Sequence, residues 1–124
     1  KLWPGFTQKT GLRDEDLSGD GVFLAGLEDP QLRHTLVSAR LGLDFLVKGA
    51  ELIPRSKAFQ FPLLLTHGAS DPVVDPAGSQ AFFDSCGSTD KTLQFFPQQR
   101  HEPHNDHARA RGLETWAGWL KARS

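Results

Sequence analysis

The stretch that most constrains the fold is an unbroken apolar run that leads into a short polar loop, within residues 61–72. Leucine stands at three successive positions, 63–65, with no polar residue between them. A strand that is apolar at every position suits a parallel sheet covered on both faces. Gly68 ends the run, and Asp71 follows three residues later. Because ligands and reacting groups in open α/β sheets lie beyond the carboxyl ends of the strands, Asp71 is a candidate functional residue.

The segments around this run alternate between helical and extended patterns. Apolar residues recur at three- and four-residue steps from Leu32 to Ile53, which predicts a helix that Pro54 ends. Asp29-Pro30 resembles the start of that helix, and the first 29 residues, rich in Gly, Asp and Pro, predict loops and short helical turns. The strand of the leading run is predicted at about 61–67.

Downstream of Asp71 the chain predicts a helix, a second strand and a final helix. Asp75-Pro76 carries a capping aspartate and a first-turn proline, and this helix should stop near Gly87. Residues 92–96 read as the second strand, and the final helix begins at about 105 or 106. One face of that helix is predicted to consist of Leu113, Trp116, Ala117 and Leu120. A strand, helix and strand at this spacing predict parallel strands joined by a right-handed crossover, and hence an α/β fold.

Composition excludes several classes of partner. The formal net charge is −1 and the basic residues are scattered, so we predict no nucleic-acid binding. No apolar run approaches the roughly 20 residues that span a bilayer, so we predict no stable membrane insertion. For the tryptophans of the last helix, packing in the core is favoured over contact with a membrane. The single cysteine, Cys86, is compatible with a reducing compartment, which favours the cytoplasm.

A second polar concentration, residues 100–107, follows the second strand and contains three histidines. His101 lies 30 residues after Asp71, which leaves room for one helix and one strand. Parallel strands bring both loops to the same edge of the sheet, as the acid and histidine of a Ser-His-Asp triad require. Ser70 is rejected as the nucleophile, because Pro72 stands where a nucleophile elbow, G-x-S-x-G, needs a small residue.

The histidines have two further interpretations besides a triad. His101, His104 and His107, with Asp106 or Asp71, could hold a metal ion, but H-E-P-H lacks the H-E-x-x-H spacing and Pro103 prevents a helix from aligning the first two. We therefore favour the interpretation in which these histidines bind no metal ion. His67 could face the site, but we predict that it is simply the last residue of the strand.

Several segments resemble the C-terminal half of the monoacylglycerol lipases, which are α/β-hydrolases grouped with the lysophospholipases and the serine aminopeptidase-like hydrolases. The segments that carry the likeness are Gly11-Leu12, Asp16-Leu17-Ser18, Asp29-Pro30, Ser38-Ala39-Arg40, Pro62 to Asp71, Asp90 to Leu93, and His101-Glu102-x-x-Asn105-Asp106. The likeness is densest between about 61 and 106. The chain departs from the family pattern near Asp20, where Gly19 and Gly21 replace the usual Arg and Pro.

The resemblance implies roles for particular residues. Asp71 corresponds to the family's catalytic acid and His101 to its catalytic histidine, while Glu102, His104 and Asn105 would support the histidine loop. The implied function is hydrolysis of a carboxylic ester in a small lipid-like substrate, monoacylglycerol or lysophospholipid, with no cofactor. The family's serine and oxyanion hole lie in a half that this chain lacks, so we expect the chain alone to be inactive. The alternatives are a non-catalytic lipid-binding protein of the same fold and, less favoured, a metal hydrolase built on the histidine cluster.

The resemblance also divides the chain. Residues 1–55 correspond to a helical cap, or lid, with its connecting helix, and residues 56–124 to the C-terminal core of an α/β-hydrolase. Two parallel strands are too few to cover both faces of a sheet. We therefore expect the missing N-terminal half of the same fold to be the main partner of this chain.

Overall fold

The structure is a computed structural model that describes residue 3, residues 5–28 and residues 35–124. The predicted helix start at Asp29-Pro30 and the predicted stripe residue Leu32 lie outside the described residues. The described residues form four strands and five α-helices. They are β1 (Thr7–Lys9), α1 (Asp14–Leu17), α2 (Gly21–Ala25), β2 (Leu36–Ser38), α3 (Ala39–Arg55), β3 (Leu63–Gly68), α4 (Pro76–Ser85), β4 (Lys91–Phe96) and α5 (Arg109–Lys121). Short 3-10 turns occupy Gly26–Glu28, Ser56–Ala58 and Pro103–Asn105.

Strands β3 and β4 form the parallel pair that the spacing predicts. Their register runs from Leu63 beside Lys91 to Gly68 beside Phe96, and α4 is the crossover between them. The start of α4 is as predicted, since the Asp75 side chain accepts a hydrogen bond of 2.8 Å from the Ala77 amide. Both strands therefore end at the same edge of the sheet, where their loops meet.

The helix before β3 is shorter than the apolar periodicity suggests. Residues 36–38 form β2, which pairs antiparallel with β1, so the helix begins only at Ala39. Ser38 caps it by accepting a hydrogen bond of 3.1 Å from the Leu41 amide. Pro54 does not end α3 as predicted but lies inside its last turn, and the helix continues to Arg55. The predicted start of this helix was wrong because apolar periodicity does not distinguish the first turns of a helix from an adjoining apolar strand.

The face of α5 is also different from the prediction, and the helix begins at Arg109 rather than at 105 or 106. Leu113 and Leu120 are 54% and 63% exposed, whereas Gly112 is buried. Gly112 lies against the Phe96 ring, which a Cβ at this position would meet at an ordinary contact distance of 3.8 Å, and the Trp116 indole N–H donates to the Thr66 hydroxyl at 3.3 Å. The side of α5 that carries Gly112 and Trp116 thus packs on the sheet.

Much of the apolar surface among the described residues is exposed. The buried hydrophobic side chains there are Cys86 and Phe96, and α3 contains no buried residue. Phe45 and Leu46 on α3 are 68% and 75% exposed. None of the described helices is both long and apolar enough to cross a membrane.

Candidate active site

The loops that follow β3 and β4 touch through their backbones at Gly68. A Cβ on this glycine would lie 2.0 Å from the Arg100 carbonyl oxygen and 2.5 Å from that of Gln99, so a larger residue does not fit. The Ser70 amide also donates to the Gln99 carbonyl at 2.9 Å. This close approach brings Asp71 and His101 into contact. Gly68, which the sequence indicated only as the end of a strand, makes the approach possible.

All the acceptor positions of the Asp71 carboxylate are occupied. Oδ1 accepts hydrogen bonds from the amides of Val73 and Val74, at 2.8 and 3.0 Å. Oδ2 lies 3.0 Å from Nδ1 of His101 and 2.9 Å from Nε2 of His67. A carboxylate oxygen accepts, so each of these ring nitrogens carries a proton when it donates to Oδ2. The carboxylate is thereby held in one orientation.

The environment of Asp71 favours its charged form. Its side chain is only 2% exposed, and burial by itself opposes ionisation. The hydrogen bonds from His101, Val74 and Val73 outweigh that effect and hold the pKa of Asp71 below its ordinary value of 3.8. Asp71 is therefore an anion at neutral pH, as the orienting acid beside an imidazole must be.

His101 lies between this carboxylate and solvent. With Nδ1 donating to Asp71, the proton-accepting position of a neutral ring is Nε2, on the opposite side of the imidazole. The side chain is 34% exposed, and it lines a cavity of about 140 Å³. The cavity is also lined by Thr66, His67, Gly68, Asp71, Val74 and Pro103. An acid and a histidine with an accessible second nitrogen are what a triad contributes besides its nucleophile.

Asp106 organises the loop that carries His101, whereas the sequence offered it only as a motif residue, a possible metal ligand and a possible start of the last helix. It is fully buried and accepts hydrogen bonds from three backbone amides: Arg100 at 2.7 Å, His107 at 2.8 Å and Gly19 at 3.0 Å. Burial opposes ionisation, but these amides outweigh it, so the pKa of Asp106 lies below 3.8. An acidic residue among histidines in a loop was the available signal, because such a carboxylate commonly accepts from local amides.

The three residues predicted to support the histidine loop lie around it rather than on the Asp71 carboxylate. The Asn105 side-chain amide donates to the Glu102 carboxylate at 2.7 Å, and the Glu102 backbone amide donates to the Leu17 carbonyl at 2.8 Å. His104 is exposed, with its ring centroid 6.3 Å from that of Trp116. Their supporting role stays a prediction.

We expect Asp106→Ala to destabilise the folded protein by about 3 kcal/mol or more, because it leaves buried amide donors without an acceptor. Chemical denaturation at pH 7 measures this. Asp84→Ala is the matched control, since Asp84 is exposed and accepts only from Gln80 on the same helix among the contacts described, and it should cost less than about 0.5 kcal/mol. Equal effects of the two changes would contradict the role given to Asp106.

The effect of Asp106 should also depend on pH. A folded-state pKa below the unfolded value means that the carboxylate contributes stability above the ordinary value of 3.8 and loses it as pH falls through the folded pKa. The stability difference between the wild type and Asp106→Asn should therefore be large at neutral pH and shrink below about pH 4. A difference that stays constant from pH 7 to the acid transition would contradict this.

His67 is placed in the site, so the prediction that it is merely the last residue of the strand is wrong. Gly68 is the last residue of β3, and the His67 imidazole contacts Asp71 Oδ2 at 2.9 Å and the Ser79 hydroxyl, through Nδ1, at 2.7 Å. Its side chain is 12% exposed. A single imidazole in an otherwise apolar strand was the signal, because a buried polar side chain needs a partner.

The remaining alternatives lack the required geometry. Helix α4 starts only at Pro76, so Ser70 does not lie on the strand-to-helix turn of a nucleophile elbow. Within residues 3, 5–28 and 35–124, no group of three or more His, Cys, Asp or Glu side chains is arranged to hold a metal ion. Asp106, one of two acids that the metal interpretation could use, instead accepts hydrogen bonds from backbone amides.

Comparisons with known proteins agree on one group of relatives. The profile of the family described as "Serine aminopeptidase, S33" matches residues 1–108. The chain is 33% identical over 109 residues to the monoglyceride lipase of Saccharomyces cerevisiae. The matched region is 82% of this chain and 35% of that protein. It therefore matches only part of that relative.

Two solved structures superpose on nearly the whole chain. The monoacylglycerol lipase of Paleococcus ferrophilus has a TM-score of 0.90 at 27% identity, covering 98% of this chain and 48% of that one. A soluble variant of the S. cerevisiae monoglyceride lipase, in complex with a substrate analogue, has a TM-score of 0.86 at 27% identity, covering 98% and 45%. The chain thus spans about half the length of these solved structures.

Proposed function

The chain belongs to the serine aminopeptidase S33 family of hydrolases, and from this premise we propose that it supplies the acid and the histidine of a Ser-His-Asp carboxylic-ester hydrolase. The observation that carries the proposal is the 3.0 Å contact between Asp71 Oδ2 and His101 Nδ1, made across two strand-end loops. The predicted likeness to monoacylglycerol lipases and the predicted α/β-hydrolase fold are both confirmed by the relatives.

The proposed reaction is acyl transfer to a serine and then to water. His101 Nε2 takes the serine proton as Oγ attacks the ester carbonyl, and Asp71 stabilises the imidazolium that forms. The imidazolium then gives its proton to the leaving alcohol, which departs from the tetrahedral intermediate. In the second half, His101 takes a proton from water as the water attacks the acyl-enzyme, and returns it to the serine. No cofactor takes part in this scheme.

The serine and the oxyanion donors would come from the N-terminal half of the fold, which we propose as the partner of this chain. A two-stranded parallel sheet leaves its faces open, and the described residues expose apolar side chains on α3 and at Phe61, which is 71% exposed. Burial of such surface is the main favourable term in folding. We infer that the 124 residues alone are inactive.

The proposed substrates are monoacylglycerols or similar lipid esters such as lysophospholipids. This rests on the three matches described above, all of which are named as monoacylglycerol or monoglyceride lipases and one of which is bound to a substrate analogue. The site itself supports only the ester-hydrolase chemistry, since the scaffold also carries peptidase and epoxide-opening reactions.

The test is made on the longer protein that contains this chain. Incubation with a fluorophosphonate probe should label one serine outside residues 1–124, and the unlabelled protein should release fatty acid from a monoacylglycerol emulsion. Activity should survive addition of a metal chelator. A label on Ser70, or chelator-sensitive activity, would overturn the triad assignment. Lipid binding without labelling or turnover would instead indicate a non-catalytic lipid-binding protein.

A further inference from the structure

We propose that His67 is a positioning residue for the reaction, whose imidazole holds the Asp71 oxygen that faces His101 and moderates the negative charge that this oxygen presents. The inference deepens the proposed function and rests on it, since it assigns a role to a residue next to the acid. His67 belongs neither to the acid–histidine pair nor to the loop that carries His101.

The first support is that two imidazoles share one carboxylate oxygen. His67 Nε2 and His101 Nδ1 lie 2.9 and 3.0 Å from the same atom, Asp71 Oδ2. The two contacts differ in surroundings, because the His67 side chain is 12% exposed whereas that of His101 is 34% exposed. His67 is thus the inner, sheltered donor, and His101 the outer ring that meets solvent.

The second support is that the contacts of His67 specify where its proton lies. Nε2 faces Asp71 Oδ2 and, at 3.2 Å, the Val74 carbonyl oxygen, and both of these atoms only accept. Nε2 must therefore carry a proton. Nδ1 lies 2.7 Å from the Ser79 hydroxyl, which can donate to it. Ser79, on α4, thereby holds a neutral His67 in the tautomer that donates to Asp71.

The third support is that the donated hydrogen bond acts directly on the acid–histidine pair. A donor to Oδ2 withdraws part of the charge with which Asp71 stabilises the His101 imidazolium. Without it, the carboxylate would hold a proton on His101 more strongly and would be less well oriented. A charged His67 would affect His101 in the same direction, because a neighbouring cation also disfavours the His101 imidazolium.

Among the described residues, the cavity wall presents no charged group besides the acid and the two histidines. The titratable side chains lining the cavity are His67, Asp71 and His101, and its other walls are Thr66, Gly68, Val74 and Pro103. From α4 the group that contacts His67 is the uncharged Ser79, and from β4 the residue in register with His67 is Phe95.

Two substitutions of His67 in the longer protein separate donation from packing. His67→Leu removes the donor that orients the carboxylate and should lower kcat by roughly 10- to 100-fold, because a displaced Asp71 holds His101 less well for proton transfer, with little change in KM. The acidic limb of its kcat/KM profile should move to higher pH. In His67→Gln the amide nitrogen can reach Oδ2, and both the rate and the profile should return towards the wild type. Equal losses in both variants with unshifted profiles would overturn the proposal.

A measurement that does not need activity keeps this test separate from the proposed function. The His101 ring protons, followed by NMR, should titrate at higher pH in His67→Leu than in the wild type or in His67→Gln. An unchanged midpoint in His67→Leu overturns the role of His67 even if the protein hydrolyses esters. A shifted midpoint in a protein without esterase activity supports the role and overturns only the proposed function.

Ser79→Ala provides a second route if His67→Leu does not fold. Losing the hydroxyl removes the hydrogen bond that holds the other side of the His67 ring, so the orientation in which Nε2 donates to Asp71 is less well fixed. The His101 midpoint should then move in the same direction as in His67→Leu, but by less. A wild-type midpoint in Ser79→Ala, with thermal unfolding unchanged, would contradict the proposal that the position of the His67 ring acts on His101.

Discussion

His101→Ala should lower ester turnover by roughly 10⁶-fold in the longer protein, the loss that follows removal of the histidine from an established serine triad. The substitution removes the ring whose Nδ1 lies 3.0 Å from Asp71 and whose Nε2 would take the serine proton. KM should change much less than kcat, because the imidazole acts on the proton and not on the acyl chain. Steady-state hydrolysis of a monoacylglycerol measures the effect.

His107→Ala is the matched control for this change. His107 lies in the same loop region, but its side chain is exposed and its ring lies near Gly19 rather than near Asp71. Its backbone amide, which donates to Asp106, is kept in the alanine variant. Turnover should stay within a few-fold of the wild type. Near-normal activity in His101→Ala, with the fold intact, would refute the assignment of the base.

Asp71→Asn should lower kcat by about 10⁴-fold, as the same substitution does in other Ser-His-Asp triads. The Val73 and Val74 amides both donate to Oδ1, so the asparagine carbonyl oxygen will occupy that side. The new NH₂ group then faces His101, whose Nδ1 must accept instead of donate. The proton of a neutral imidazole moves to Nε2, where it prevents the ring from acting as a base.

Asp75→Asn is the control for Asp71→Asn. Asp75 lies four residues further on and accepts from the Ala77 amide at the start of α4. Asparagine caps helices about as well as aspartate, so activity and stability should be close to the wild type. A kcat within tenfold of the wild type in Asp71→Asn would be incompatible with Asp71 as the orienting acid. An unchanged NMR titration of the His101 ring in this variant would also contradict the role of Asp71 as the orienting acid.

Local patterns predicted the elements that carry the site. The apolar run at 63–65 became β3, the cap at Asp75 became the start of α4, and the two strands pair in parallel as their spacing requires. The 30-residue step from Asp71 to His101 predicted their contact. These predictions succeeded because each depends on neighbours within a few residues or on the handedness of one crossover.

Other features were mispredicted because their cause lies far away in the sequence. Residues 36–38 are a strand rather than helix because β1, some 30 residues earlier, pairs with them. The face of α5 that packs on the sheet carries Gly112, beside Phe96, and Trp116, which donates to Thr66, while Leu113 is exposed. Periodicity reports that a helix has an apolar side, but the neighbour that it meets decides which side is covered.

The sequence by itself determined that this is an α/β chain with an acid and a histidine at the ends of adjacent parallel strands. Only the tertiary structure decided how that pair is held. Three features of the site join residues from separate loops or elements. They are the contact across Gly68, the Asp106 carboxylate beneath the histidine loop, and His67 as a second donor to Asp71. Hydrogen bonds and close approaches of this kind depend on distances in space, which spacing along the chain does not specify.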